Sequence, residues 1–526
     1  MKKIVGLVAA MAVSITVFAQ TGVTGYVFAD ANGNGKKDKK EKGITGVAVS
    51  NGKDVTTTDA QGMYRLSIDA DDIVFVIKPS GYQLPVNEKK LPQFYYNHKP
   101  AGSPAHFQYK GVQPTGPLPA LVNFALIPAA ATDEFTSLIF GDPQPYTQKE
   151  VDFFSKGVVA EVAGIKNISF GLSLGDLVGD NLTLHNPYID AVQKVGIPWF
   201  NVMGNHDMNY EATADSLSDE TFEANFGPAN YSFNYGKVHF IILDDILYPD
   251  PRDAKGYWGG FTNDQLSFLE NDLKLVPKDH LVVLSFHIPL QMYDGVYRKK
   301  DRDQLFYLLK DFPHTLSLSA HTHLQRNDFY NKKDGWLQDK PHHEYNAGTT
   351  SGDWYSGEMN EQGVPVSTMR DGTPKGYAFI HFKGNEYTID YKVAGKDAAY
   401  QIALYAPKVI PNKRPGSAAI YANFFMGKKG DKVEFRINET EWKKMDYTEN
   451  ADPSFIAALI KWDFTENLIP GRRPSAPEKS THLWEAKFPN NLPVGTHRIE
   501  VRATDMFGRT FTSEKLFKVQ EAIIAP

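Results

Sequence analysis

Five apolar stretches in the middle of this chain each stop at a glycine, aspartate, asparagine or histidine, and that pattern constrains the fold more than any other feature. Residues 137–140 run into Gly141-Asp142-Pro143-Gln144, 168–174 into Gly175-Asp176, and 199–203 into Gly204-Asn205-His206-Asp207. Residues 281–286 run into His287, and 315–318 into Ser319-Ala320-His321-Thr322-His323. The runs have the length of buried strands, and helical patterns lie between them, so the spacing predicts an α/β domain. Thr262 and Gln265 form a capping box ahead of Leu266, Leu269, Leu273 and Leu275; Val151, Phe154, Val158 and Val162 share one face of another helix. In open α/β sheets ligands bind beyond the carboxyl ends of strands, so the five termini are expected to converge. Carboxylate, amide oxygen and imidazole are metal donors, and a carboxylate such as Asp176 suits a bridge between two cations that keep charge for a phosphate.

Composition narrows the function classes. The 526 residues suffice for two to four domains, and a net charge of -6 provides no basic field for a nucleic-acid polymer. The opening MKKIVGLVAAMAVSITVFAQ has two lysines, an apolar segment shorter than a membrane span and a small-residue cleavage pattern, so residues 1–19 are expected to be a signal peptide. No other stretch is long enough to span a membrane. The chain has no cysteine, hence neither disulfides nor a lipid-modified thiol. A periplasmic or secreted protein is expected.

Both flanks read as β modules. Residues 20–130 show short β-rich runs between Gly, Asn and Asp clusters. The loop from Asp30 to Glu41 has the spacing of a twelve-residue calcium loop, with Asp30, Asn32, Asn34, Asp38 and Glu41 as oxygen donors and Gly35 at the sixth position. A lysine-rich solvated turn is the alternative. Residues 25–64 resemble the B-type repeats of bacterial surface adhesins, which implies a β-sandwich. The aromatics Phe94, Tyr95 and Tyr96 are expected to pack on the next domain or to offer a ligand platform. Residues 396–526 return to strands, with 493–503 alternating apolar and polar residues as in immunoglobulin-like sandwiches.

The ordered motifs from Asp142 to His323 resemble those of the calcineurin-like metallophosphoesterases, and the β–catalytic–β order resembles a bacterial subgroup of that family. The resemblance implies a two-sheet αββα sandwich over residues 131–395 and hydrolysis of a phosphate mono- or diester by a hydroxide bridging two ions of manganese, iron or zinc. It implies that Asp142, Gln144, Asp176 and His323 hold one ion, and Asp176, Asn205, His287 and His321 the other. His206 would face the phosphate and serve the leaving oxygen. Two residues depart from the family pattern. Gln144 replaces a histidine, which favours a harder ion such as manganese over zinc, and Ser319-Ala320 replaces the glycine before His-x-His. The carboxylate that orients His206 is either Asp180 or Asp207. Trp354, Tyr355 and Arg370, in loops after the metal motif, are candidates for contacting the organic part and phosphate of a small-molecule, lipid or sugar phosphate ester; ordinary loop packing is the alternative. Asp244 and Asp245 are given no ligand role, and His342-His343 reads as a solvated pair. The competing reading of the whole chain is a catalytically degenerate cell-surface or carbohydrate-binding protein, with Gln144 as the mark of decay.

Overall fold

The computed structural model describes residues 21–291, 295–413 and 415–523. The expected signal peptide lies outside the described residues. Among them no helix is long and apolar enough to cross a membrane.

The centre of the molecule is two sheets packed face to face. The first has five strands in the order Trp199–Val202, Phe170–Leu174, Glu134–Phe140, Gly376–Lys383, Glu386–Val393. Its first three strands are parallel, and the hairpin 376–393 adds on antiparallel. The second has six strands in the order Tyr231–Tyr235, Val238–Ile242, Leu281–Ser285, His314–Ser319, His342–Asn346, Arg326–Tyr330, of which the middle four are parallel. Parallel strands covered on both faces are apolar along their whole length. Phe170–Leu174 and Leu281–Ser285 accordingly contain no exposed residue.

Helices cover the outer faces. Gln148–Phe154 starts at a Thr147–Glu150 capping box and continues through a π turn, Ser155–Val159, into Ala160–Val162. Val151, Phe154, Val158 and Val162 from this run are all buried. Asn263–Leu273 begins at the Thr262–Gln265 box and buries Leu269 and Leu273. Leu275 lies past its end and is exposed, because the helix stops before another turn can bring it to the inner face.

Residues 21–128 form two four-stranded sheets, and the C-terminal strands form one sheet of four and one of five. The C-terminal module also carries a helix, Pro453–Asp463, started by the Asp452 side chain and a proline in its first turn. The chain is thus an α/β sandwich flanked by β modules. The N-terminal module shares one apolar core with the sandwich, whereas most of the C-terminal module has a core of its own. Phe94 packs on Phe200 and Tyr231, so the 94–96 aromatics are an interdomain seam.

One strand departs from expectation. His342 and His343 are not solvated: both are buried in His342–Asn346. His342 is held by Thr315 and Ser317, His343 by Tyr387 and Asn327. Burial lowers the pKa of each to about 3, so they fold as neutral rings.

Candidate metal centre

The carboxyl ends of the parallel strands from both sheets meet, and the residues after them turn inward together. The backbone there is strained: Asp142, Gln144, Asp176, His321 and His323 all have positive φ, between 31° and 66°. Each such non-glycine residue costs on the order of 1–3 kcal/mol and persists only where its surroundings fix it. Glycine is required beside them. A Cβ on Gly175 would lie 2.4 Å from His287 Nδ1, and one on Gly204 would lie 2.0 Å from the Asp176 nitrogen.

Asp176 is the hub. Its Oδ1 is 3.2 Å from His287 Nε2 and accepts the His206 amide at 2.9 Å, while Oδ2 lies 3.2 Å from Gln144 Nε2. On the first side, Asn205 Oδ1 and His321 Nδ1 each approach His287 Nε2 to 3.2 Å. Ligand atoms of Asp176, His287 and His321 lie within 4.8 Å of one another. On the other side stand Gln144, Asp142 and His323, whose Nε2 is 3.9 Å from Asp142 Oδ1. The structure thus brings Asp142, Gln144, Asp176, Asn205, His287, His321 and His323 together.

The donor set fits metal ions. His287 Nδ1 faces the Leu174 carbonyl at 2.8 Å and His323 Nδ1 the Gly352 carbonyl at 2.8 Å, which fixes each ring and leaves Nε2 as the donor atom. Gln144 Oε1 is buried with no hydrogen-bond partner, an orphan that a cation at this side satisfies. The electrostatics carry the same message. Burial raises Asp142 to about 8, with Asp176 adding to the rise. Burial and the His287 charge hold His321 at about 3. His287 rises to about 10, because Asp176 and Asp142 outweigh the opposing effect of burial. Such pulling apart of neighbouring groups marks a functional site.

His206 stands at the edge. Its Nδ1 meets Asp180 Oδ1 at 2.6 Å, and its ring is edge-on to Tyr146 with centroids 5.9 Å apart. Asp180 is therefore the orienting carboxylate. Asp207 is buried and accepts the Gly204, Leu177 and Val178 amides, holding the loops rather than the imidazole of His206. Asp245, which sequence reasoning left without a role, accepts the His287 and Ile288 amides and so fixes the His287 loop.

The expected substrate residues separate. Trp354 is half-buried and stacks on His323, centroids 4.1 Å apart and planes at 26°. Tyr355 is buried, with its hydroxyl on the Pro143 carbonyl and its ring against Phe153; it offers no face to a ligand because it fills the core under the first metal loop. Arg370 is committed rather than free for phosphate: Nη1 meets Glu478 at 3.2 Å and Nη2 donates to the Thr322 carbonyl at 3.1 Å. The glycine- and serine-rich loop holding them is a buttress, since Thr350 N donates to the Gly141 carbonyl and Ser351 Oγ to that of Asp142. No sequence signal singles out the Gly352 carbonyl, because any residue supplies one.

In the calcium-like loop, Asp30 takes the Gly33, Asn34 and Gly35 amides, and Asn32 and Asn34 both donate to Asp38 Oδ2. Glu41 closes the loop on the Ala31 and Asp38 amides.

Three family models match the chain. The calcineurin-like phosphoesterase model matches residues 135–325, the model for the N terminal of calcineurin-like phosphoesterase matches 31–113, and that for its C terminal matches 344–511. The chain belongs to the calcineurin-like phosphoesterases, in the subgroup that carries both flanking modules. It is a metallophosphoesterase, and its family implies divalent metal ions. No curated protein matches it. Solved structures with some likeness include purple acid phosphatase PPD1 from yellow lupin seeds, at 12% identity over 71% of this chain and 67% of that one, TM-score 0.35. Another is the Clostridium perfringens spore cortex lytic enzyme SleM, at 13% identity over 74% and 99%, TM-score 0.20. A third is the cold-active protein-tyrosine phosphatase of a psychrophilic Shewanella, at 10% identity over 66% and 98%, TM-score 0.21. At such TM-scores none bears on the function of this chain.

Proposed function

We propose that this protein is an exported phosphoesterase that holds two metal ions and hydrolyses a phosphate mono- or diester of a small organic molecule, lipid headgroup or sugar. The observation that carries the reading is the central place of Asp176, whose Oδ1 faces His287 Nε2 and which clusters with His287 and His321, while its Oδ2 faces Gln144. Asp142, Gln144, Asp176 and His323 would hold one ion, and Asp176, Asn205, His287 and His321 the other. When bound, such ions polarise the phosphoryl oxygens and lower the pKa of coordinated water. The chain itself supplies the rest. Asn205 and the His321 and His323 rings are neutral donors, so the site keeps positive charge for a phosphate. With Nδ1 tied to Asp180, His206 holds a proton at Nε2 for the oxygen that leaves as the ester bond breaks. The intact His206–Asp180 pair and the unpartnered Gln144 oxygen speak for a working site rather than a degenerate one. Of the substrate candidates, Trp354 alone is partly exposed and unclaimed by a hydrogen bond of its side chain, which leaves its rim for an organic group.

Export rests on the N-terminal lysines, apolar segment and small-residue cleavage pattern. We place the domain divisions after residues 19, 130 and 395; the last is supported by the hairpin 376–393, which belongs to the catalytic sheet. We assign calcium to the Asp30–Glu41 loop; an unchanged melting temperature of the full-length protein on adding millimolar calcium would reject that assignment.

The decisive experiment supplies metal-stripped protein with manganese, zinc or iron. Hydrolysis of p-nitrophenyl phosphate and of bis-p-nitrophenyl phosphate is then followed, with metal content per chain measured alongside. Restored turnover with about two ions per chain is the expected result. The preferred ester assigns monoesterase or diesterase, and fewer than two ions with no turnover would sink the reading.

A further inference from the structure

Residues 471–478 of the C-terminal module reach the loops beside the metal-binding residues. The strand Gly471–Arg472 pairs antiparallel with Gly357–Glu358, directly after the Trp354 loop. From there Arg472 Nη2 donates to the Asp353 carbonyl at 3.3 Å and to the Trp354 carbonyl. The Ser475 amide donates to Asp353 Oδ2 at 2.7 Å. Glu478 takes Arg370 Nη1, and its amide donates to the Arg370 carbonyl at 3.0 Å.

What these groups hold is strained and adjoins a metal ligand. Trp354 and Tyr355 have φ of 46° and 56°, two successive non-glycine residues in the left-handed region. Such a pair persists only where its surroundings hold it, and Arg472 is one such tie, on the Trp354 carbonyl. The Trp354 ring lies on His323, and the Arg370 guanidinium sits 5.5 Å from the Trp354 centroid. Arg370 also donates to Thr322, the residue between His321 and His323. The chain of contact from Arg472 through Trp354 ends at His323, and the one from Glu478 through Arg370 ends at the Trp354 ring and at Thr322 beside His323.

Docking of the module does not need them. It is held by Asp371 with His482, by Asn423 bridging the Asp371 carbonyl and Asp452, and by Phe425 and Met426 inserted in the central core. Arg472 is exposed.

We propose that residues 470–478 of the C-terminal module are a positioning element of the phosphoesterase site, with Arg472 and Glu478 clamping Trp354 and Arg370 so that His323 keeps its ligating pose. This rests on the metal reading above. It assigns the C-terminal module a part in the metal site that a spacer would not have. The ion held by Asp142, Gln144, Asp176 and His323 depends on it, and the ion on Asn205, His287 and His321 does not.

The test titrates manganese or zinc into metal-free full-length wild type, Arg472→Ala, Glu478→Gln, Trp354→Ala and the Arg472→Ala/Trp354→Ala double variant. Apo melting temperatures are measured alongside. The expected result is one ion bound as in wild type and the other weakened about 10- to 100-fold in the variants, the range for partners that orient a ligand. Apo melting temperatures of Arg472→Ala and Glu478→Gln should stay close to wild type, as for exposed substitutions. The double variant should lose no more affinity than either single one, because both act through one contact. Arg472→Lys, which keeps a donor, should recover part of the loss. Two ions bound with wild-type affinity in Arg472→Ala would overturn the inference, as would equal weakening of both ions together with a lowered apo melting temperature. Failure of the underlying reading looks different: wild type itself then takes up no metal.

Discussion

His206 and Asp176 are one hydrogen bond apart, yet their side chains do separate work. The Asp176 carboxylate faces both halves of the donor cluster, whereas the His206 imidazole points to Asp180 at the edge. His206→Ala should therefore keep the wild-type metal content and lose about 10²- to 10⁴-fold in turnover, the contribution of a positioned acid or base. Asp176→Ala should lose both metal and turnover. Metal analysis beside a p-nitrophenyl ester assay separates the two, and equal metal loss would refute the division of labour. The converging residues were legible because each follows an apolar run, where a strand ends and its next side chains can turn inward. Asp180 and Asp207 were not separable that way. Asp180 reaches His206 because its backbone turns left-handed, φ 61°, and its amide is bonded to the His206 carbonyl, neither of which leaves a mark in the letters.

The strand-end loops are spaced for glycine. With a Cβ at residue 175 only 2.4 Å from His287 Nδ1 and φ at 89°, Gly175→Ala must displace the His287 ring or the turn. It should abolish metal uptake while the sheets persist by circular dichroism; uptake at the wild-type level would show that the loop has slack. The strand His342–Asn346 tests a different property of an element. Its first two letters, HH, read as a solvated pair, yet every residue of the strand is buried with its polar atoms paired inside. Pattern reading fails there because it scores polarity and cannot see partners supplied by Ser317, Thr315, Tyr387 and Asn327. The helix Pro453–Asp463 was missed in a region read as strands throughout, although Asp452-Pro453 is an ordinary helix start. The buried histidines fix a pH dependence. Both have folded pKa values near 3 because burial disfavours the charged form, so the unfolded chain binds more protons below about 6.5. Stability is full above that pH and falls as the pH drops toward 3, by about 1.4 kcal/mol per unit for each histidine. Denaturant melts between pH 7 and 4 of wild type and His342→Gln should show the shallower slope in the variant; parallel slopes would mean His342 is not neutral in the fold.

Across the whole molecule, the N-terminal module and the catalytic sandwich share a core and are expected to melt as one cooperative body. The apolar core is continuous between them, and Phe75 and Phe94 reach across to Phe268, Phe200 and Tyr231. A buried charge cluster fastens the seam: Lys99, 3% exposed, bonds Glu220 at 2.7 Å, Glu223 at 2.9 Å and Asp71 at 2.9 Å. Glu220 and Glu223 belong to the helix Glu220–Phe226 of the catalytic domain, Lys99 and Asp71 to the module. Removing the one cation leaves two buried carboxylates facing each other without compensation, an arrangement that costs about 3–5 kcal/mol. Lys99→Met should thus lower the melting temperature of both parts together, far from the metal site and with unchanged metal stoichiometry at low temperature. Excision of the module should go further and leave the catalytic domain insoluble, since it uncovers the Phe200–Tyr231–Phe268 face. Calorimetry decides: a single transition for the two parts that shifts as a unit in Lys99→Met supports one body. A module that melts alone, with the catalytic transition unmoved, would make it a separable attachment.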